Sequence, residues 1–262
     1  MRLLIAALAF GASAVSAVAG PRVASLDQCS DQYVLALADR SDIAFLSPRA
    51  LAADSWLKAS AVGLPTRRPS VEAVVSAQPD VVVRQWGGGP RLDAALAWSG
   101  IRTASIKDAS TFDQVARDVR AIAAALGHPD RGERLIAGMQ VKLDRARGAW
   151  KGAGAVYLTD GAFTAGAGTL VDSVLRAAGL TNLSRSPGYA PAPLERLMLD
   201  PPKVVVFGRF DSPGHGRWSP VNGPILHRAL AGSRTVELPG ALLGCPAWFA
   251  AEAVERLAAA AP

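Results

Sequence analysis

The feature that most constrains this fold is an internal repeat. Val71-Glu72-Ala73-Val74-Val75 leads to Pro79-Asp80-Val81-Val82-Val83, and Leu194-Glu195-Arg196-Leu197-Met198 leads to Pro202-Lys203-Val204-Val205-Val206. Glutamate, proline and valine triplet recur at a single offset of 123 positions (72 and 195, 79 and 202, 83 and 206). Each unit reads as a short helix, a proline stop and a strand. The valine triplets do not alternate with polar residues, so each strand is expected to be buried on both faces, as in a parallel sheet covered by helices. Helix–strand units are common enough to resemble one another by chance, but the matching order of the flanking pieces points to two related lobes.

The rest of the chain agrees with that reading. β-Branched runs at 22–26, 43–46, 80–84, 102–105, 155–159, 203–207 and 235–238 alternate with helical stretches, which predicts an α/β architecture with a mostly parallel sheet in each lobe. Between the repeats, Phe112, Val115, Val119, Ile122 and Leu126 fall at helical spacing up to the turn Gly127-His128-Pro129. Leu135, Met139, Leu143, Ala146 and Trp150 form a second stripe, in a helix of roughly 20 residues and about 30 Å. A single long helix between two α/β halves serves as a stiff connector. The expected division is a signal peptide at 1–19, an N-terminal lobe at 20–128, an interlobe helix at 129–151 and a C-terminal lobe at 152–262.

Arg2, the short apolar run Leu3 to Phe10 and the small-residue motif Ala17-Val18-Ala19 have the pattern of an export signal cleaved after Ala19. About eight strongly apolar residues fall well short of the roughly 20 that span a bilayer. Without Arg2 the chain carries 27 basic against 22 acidic residues. In an exported protein this surplus fits an anionic ligand, an acidic patch on a partner or an ordinary solvated surface, and the aromatic residues are not interleaved with Lys and Arg as nucleic-acid binding requires. Cys29 and Cys245, the two cysteines of the chain, are expected to pair in an oxidising compartment, with two separate thiols near a ligand as the other reading.

Catalytic signatures are missing. Neither Gly-x-Ser-x-Gly nor His-Glu-x-x-His occurs, and His128, His215 and His227 are not spaced as a pair on a helix face. That histidine set is too sparse for a bare zinc or manganese site, so a metal cargo would arrive already chelated. The contrasting reading is an exported α/β hydrolase or lyase drawing on Asp27, Asp160 or His215.

The segments Arg22 to Gln32, Ser70 to Val83, Gly166 to Leu183 and Pro193 to Val206, in this order and spacing, resemble the periplasmic iron-chelate and vitamin B12 binding proteins of ABC importers, the class with a rigid interlobe helix. The resemblance implies two α/β lobes joined by one long helix, with the ligand in the cleft between them, and a monomeric periplasmic carrier without a cofactor of its own. Members dock on an inner-membrane permease through one exposed glutamate per lobe. Glu72 and Glu195 match those positions, although acids at solvated helix starts also simply favour the helix dipole.

Ligand pockets of open α/β lobes lie beyond the C-terminal ends of the strands. After Val83 comes Arg84-Gln85-Trp86-Gly87-Gly88-Gly89-Pro90, where glycines permit close backbone approach and the indole can project into the cleft. Gln85 and Trp86 are therefore candidates, with Arg67 and Arg68 as cationic partners for carboxylate, hydroxamate or phosphate oxygens. Phe163, Tyr189, Arg209 and Trp218 are the candidates of the second lobe. Aromatic walls with few polar groups suit a large, flat ligand. The arginines lean towards an anionic ferric siderophore and the aromatics towards cobalamin, with heme a third ligand for the same fold.

Overall fold

The computed structural model describes residues 20–87, 89–210, 221 and 223–262. Residues 1–19, expected to be a signal peptide, and Gly88, His215 and Trp218 lie outside the described residues. In chain order the elements are β1 (Val23–Ser25), α1 (Gln28–Leu37), β2 (Ile43–Phe45), α2 (Lys58–Ala61), α3 (Val71–Ala77), β3 (Val81–Arg84), α4 (Gly89–Trp98), β4 (Arg102–Ser105), α5 (Phe112–Ala125) and α6 (Pro129–Ala146). There follow β5 (Gly154–Thr159), β6 (Phe163–Ala165), α7 (Leu170–Ala177), β7 (Thr181–Asn182), β8 (Tyr189–Pro191), α8 (Leu194–Leu199), β9 (Val204–Arg209), α9 (Pro224–Ala229), β10 (Arg234–Pro239) and α10 (Ala250–Ala259).

Two four-stranded parallel sheets result, ordered β2-β1-β3-β4 and β7-β5-β9-β10. The repeat maps element onto element: α3 and β3 begin 123 residues before α8 and β9, and β3 and β9 occupy equivalent central places. Both valine triplets are buried on both faces, as their unbroken hydrophobicity requires. Val81 and Val83 face one core and Val82 another, and Val204 and Val206 are likewise divided from Val205.

The largest core runs from Tyr33 and Val34 of α1 through α5 and α6 to Val174 of α7 and Val254 of α10. Helix α6 thus packs both lobes at once. Its first turn carries Pro129, whose missing N–H costs nothing there. It ends four residues before Trp150, because Arg147 leaves helical geometry and Gly148 takes φ 71°. Trp150 instead seals the seam from beyond the helix, its indole N–H donating to Leu257 O at 2.8 Å.

Cys29 of α1 and Cys245, beyond β10, form a disulfide across 216 residues of chain. Beside it the Tyr33 hydroxyl donates to Pro246 O at 2.7 Å, and Tyr33, Trp248, Phe249 and Trp56 stack in a chain of rings. The two lobes are therefore fastened along one seam by the helix, the disulfide and these aromatic contacts. Among the described residues no helix is long and apolar enough to cross a membrane.

Candidate functional site

A cavity of about 450 Å³ lies between the lobes. The first lobe contributes Cys29, Gln85, Trp86, Asp108 and Ala109, and the second contributes Gly168 to Leu170, Gly188, Tyr189 and Leu243 to Pro246. Gln85, Trp86 and Asp108 follow the C-terminal ends of β3 and β4, and Leu243 follows that of β10, which is where a parallel sheet leaves a crevice for a ligand.

The Trp86 loop is held from beneath by one carboxylate. Asp27 caps α1, its Oδ1 accepting from Ser30 N at 2.9 Å, while its Oδ2 accepts from Gln85 N (2.7 Å), Trp86 N (3.1 Å) and Gly87 N (3.0 Å). Three convergent N–H groups on one carboxylate oxygen form a charge-assisted anchor. Gly87 is glycine for the same reason, because a Cβ there would lie 2.4 Å from Leu26 O. The close approach that this glycine permits is to the protein's own backbone, and Gly89 takes φ 65° at the start of α4. With its backbone fixed, Trp86 presents its side chain to solvent at 70% exposure.

Across the cavity Tyr189 stands on β8, paired in an antiparallel ribbon with β6. Its phenol is pushed above the ordinary range, first by shelter from water and then by the Asp108 carboxylate. At neutral pH Tyr189 therefore offers a neutral hydroxyl. Gln85 donates from Nε2 to Asp108 Oδ1 at 2.8 Å, and its Oε1 has no hydrogen-bond partner among the described residues. The cleft thus sets two exposed rings on opposite walls around an amide, a carboxylate and the Thr169 region at the start of α7. Such a surface can hold a broad, partly apolar molecule by ring contact and orient it with a few polar groups.

Of the residues expected at the site, Gln85, Trp86, Tyr189, Cys29 and Cys245 line this cavity, whereas Arg67, Arg68, Phe163 and Arg209 do not. Arg67 donates to Ser76 Oγ at 2.9 Å and lies over the Phe45 ring, which draws it towards α3. Arg68 is exposed on the connection to that helix. Phe163 remains on the β6 edge, paired with Pro191. Arg209 bridges Asp160 at 2.6 Å and Glu237 at 2.5 Å and stacks over Phe207, so its guanidinium is committed to its own lobe. Among the described residues no arginine or lysine lines the cavity, and the titratable wall groups are Tyr189 and the acidic Asp108.

Asp108, Thr169 and the neighbours of Cys245 in Leu243 to Pro246 were not anticipated. The rule that ligands lie beyond strand ends selects Asp108 and Leu243 to Pro246, but neither a lone carboxylate nor Leu-Gly-Cys-Pro carries a chemical signature. Glu72 and Glu195 are exposed in the first turns of α3 and α8. The backbone N–H of Glu72 and then the Ser70 hydroxyl hold the Glu72 carboxyl below its usual range. One further group of metal-type ligands, Asp39, Asp42 and His128, gathers within 4.8 Å, away from the cleft and with Arg131 already paired to Asp39.

Residues 23–212 match a family model described as periplasmic binding protein. Among solved structures, the apo periplasmic heme-binding protein RhuT from Roseiflexus sp. RS-1 is 25% identical with a TM-score of 0.71, covering 92% of this chain and 97% of that one. The periplasmic vitamin B12 binding protein BtuF of Vibrio cholerae is 18% identical with a TM-score of 0.67, covering 92% and 96%. An ABC-type Fe3+-hydroxamate transport system structure from Saccharomonospora viridis DSM 43017 is 18% identical with a TM-score of 0.69, covering 92% and 93%. No curated protein matches the chain. With two parallel-sheet lobes, one connecting helix and a family match over most of its length, the chain belongs to the periplasmic binding protein family.

Proposed function

We propose that this protein is the periplasmic substrate-binding component of an ABC importer, which captures a metal chelate or a corrinoid in the interlobe cleft and delivers it to an inner-membrane permease. The observation that carries the reading is the pairing of exposed Trp86 and Tyr189 on opposite lobes of one 450 Å³ cavity. A broad ligand entering there would bury both rings at once, and binding would couple to the relative setting of the lobes. The exported N-terminal segment, the division into lobes at 20–128 and 152–262 and action as a monomer belong to this proposal.

The shift from an arginine-lined to a nearly neutral, faintly acidic cleft moves the balance from anionic siderophores towards cobalamin. Heme is the second reading, favoured by the heme-binding protein that shares the fold. A metal centre would enter as cargo inside its chelate, with no resident cofactor. A role without catalysis is supported by the carboxylates that a hydrolase would need: Asp27 is filled by four N–H groups and Asp160 is paired with Arg209.

Glu72 and Glu195 are proposed as the two contacts with permease arginines. One carboxylate per lobe, in equivalent helices, suits a partner with two similar halves. Tryptophan-fluorescence titration of the mature protein with cyanocobalamin, ferrichrome, a ferric catecholate and hemin tests the reading. Saturable quenching by one of these, reduced at least about tenfold in Trp86→Ala, is expected. No saturation with any of the four would overturn it.

A further inference from the structure

We infer that the second lobe carries a separate binding site for a small organic carboxylate, in the cavity bounded by α8, the turn after β7 and strand β6. The cavity holds about 380 Å³ and shares no lining residue with the interlobe cleft. Its volume lies within the range of small-molecule sites.

Three observations define the ligand. Arg185 and Arg196 both line the cavity, and neither meets a carboxylate among the described residues. Asp200 also lines it, so the side chains leave one net positive charge, which matches a monoanion. Val156, Leu183 and Leu197 supply apolar wall, which calls for an apolar body behind the charged group.

The third observation is Thr164. It lines the cavity at 2% exposure, and its hydroxyl has no hydrogen-bond partner among the described residues. A sealed hydroxyl without a partner costs about 1–3 kcal/mol, and a ligand oxygen would remove that cost.

The wall that presents Arg185 is fixed in place. Asn182 accepts from Ser184 N at 3.0 Å and donates to Ala165 O and Asp172 Oδ1, which pins the turn to β6 and α7. Gly166 completes the fit, since a Cβ there would meet Ser186 O at 1.8 Å. A guanidinium on a preset turn loses less freedom on binding than one on a mobile loop. Planar, bidentate recognition of a carboxylate is what arginine does best.

Calorimetric titration of the mature protein at low salt, with benzoate and with inorganic phosphate, tests the assignment. Benzoate should saturate one site at or below about 10 mM, with phosphate at least about tenfold weaker. The double variant Arg185→Gln with Arg196→Gln should weaken benzoate at least about tenfold. Thr164→Val should weaken it several-fold and yet leave the ligand-free melting temperature unchanged or higher, because the stranded hydroxyl is gone. Absence of saturation, equal affinity for phosphate, or unchanged benzoate affinity in both variants overturns the inference. Tryptophan-fluorescence titration of the same variants with cyanocobalamin, ferrichrome, a ferric catecholate and hemin tests the cleft, which shares no lining residue with this cavity, so either site can fail without the other.

Discussion

At the scale of single residues, two aspartates, half-buried Asp27 and buried Asp31, govern the first lobe in opposite ways. Asp27 spends its whole carboxylate on N–H donors, one from the helix it caps and three from the loop that carries Trp86. Replacement by asparagine puts an amide NH2 against donors it cannot accept from. Asp27→Asn is therefore expected to destabilise the protein by about 1–3 kcal/mol in urea unfolding and to weaken cleft binding through the freed Trp86 loop. Asp31 behaves differently. Burial raises its carboxyl from 3.8 to about 6, against the lowering effect of its hydrogen bonds with Ser25 and Ser47. Between about pH 4 and pH 6 the native state then holds a proton that the unfolded chain has released, so stability falls as pH rises through that window and levels off above it. The fall amounts to about 3 kcal/mol. In Asp31→Asn, which can still accept from Ser47 N, urea unfolding from pH 4 to pH 7 should lose that slope.

At the scale of elements, the duplicated helix–strand unit carries the permease prediction. Ser70 caps α3, with its hydroxyl accepting from Ala73 N, and this fixes Glu72 in the first turn; Glu195 holds the same place in α8. Glu72→Arg combined with Glu195→Arg should abolish uptake by cells carrying the cognate permease, with ligand affinity within about twofold of wild type. Unchanged uptake would count against the docking role. The valine triplets of β3 and β9 were legible because an unbroken β-branched run outweighs its neighbours, and the other five expected strands from their alternation with helical stretches. The ribbon of β6 and β8 and the two-residue β7 were not, since Phe163-Thr-Ala and Tyr189-Ala-Pro are short and one ends in proline. Trp150 extends the helical stripe of α6 in sequence, yet Gly148 interrupts the helix before it. At the site, Gln85, Trp86 and Tyr189 could be found from their places in the chain. Arg67 and Arg209 misled because the groups that claim them, Ser76, Phe45, Asp160 and Glu237, become neighbours only on folding.

At the scale of the whole molecule, the lobes are fastened along a seam that borders the cleft. The seam consists of α6, the Cys29–Cys245 disulfide, the Tyr33 hydroxyl on Pro246 O and the salt bridges of Lys142 with Glu252 and Glu255. Because the disulfide lines the cavity, the distance between the walls is set at the edge where a ligand would lodge. Hydrogen–deuterium exchange of the mature protein, with and without saturating cyanocobalamin, ferrichrome or hemin, tests this most directly. At least one of these should slow exchange together in 106–109 of the first lobe and in both 168–170 and 243–246 of the second. Slowed exchange confined to one lobe, or falling wholly outside these segments, would contradict it.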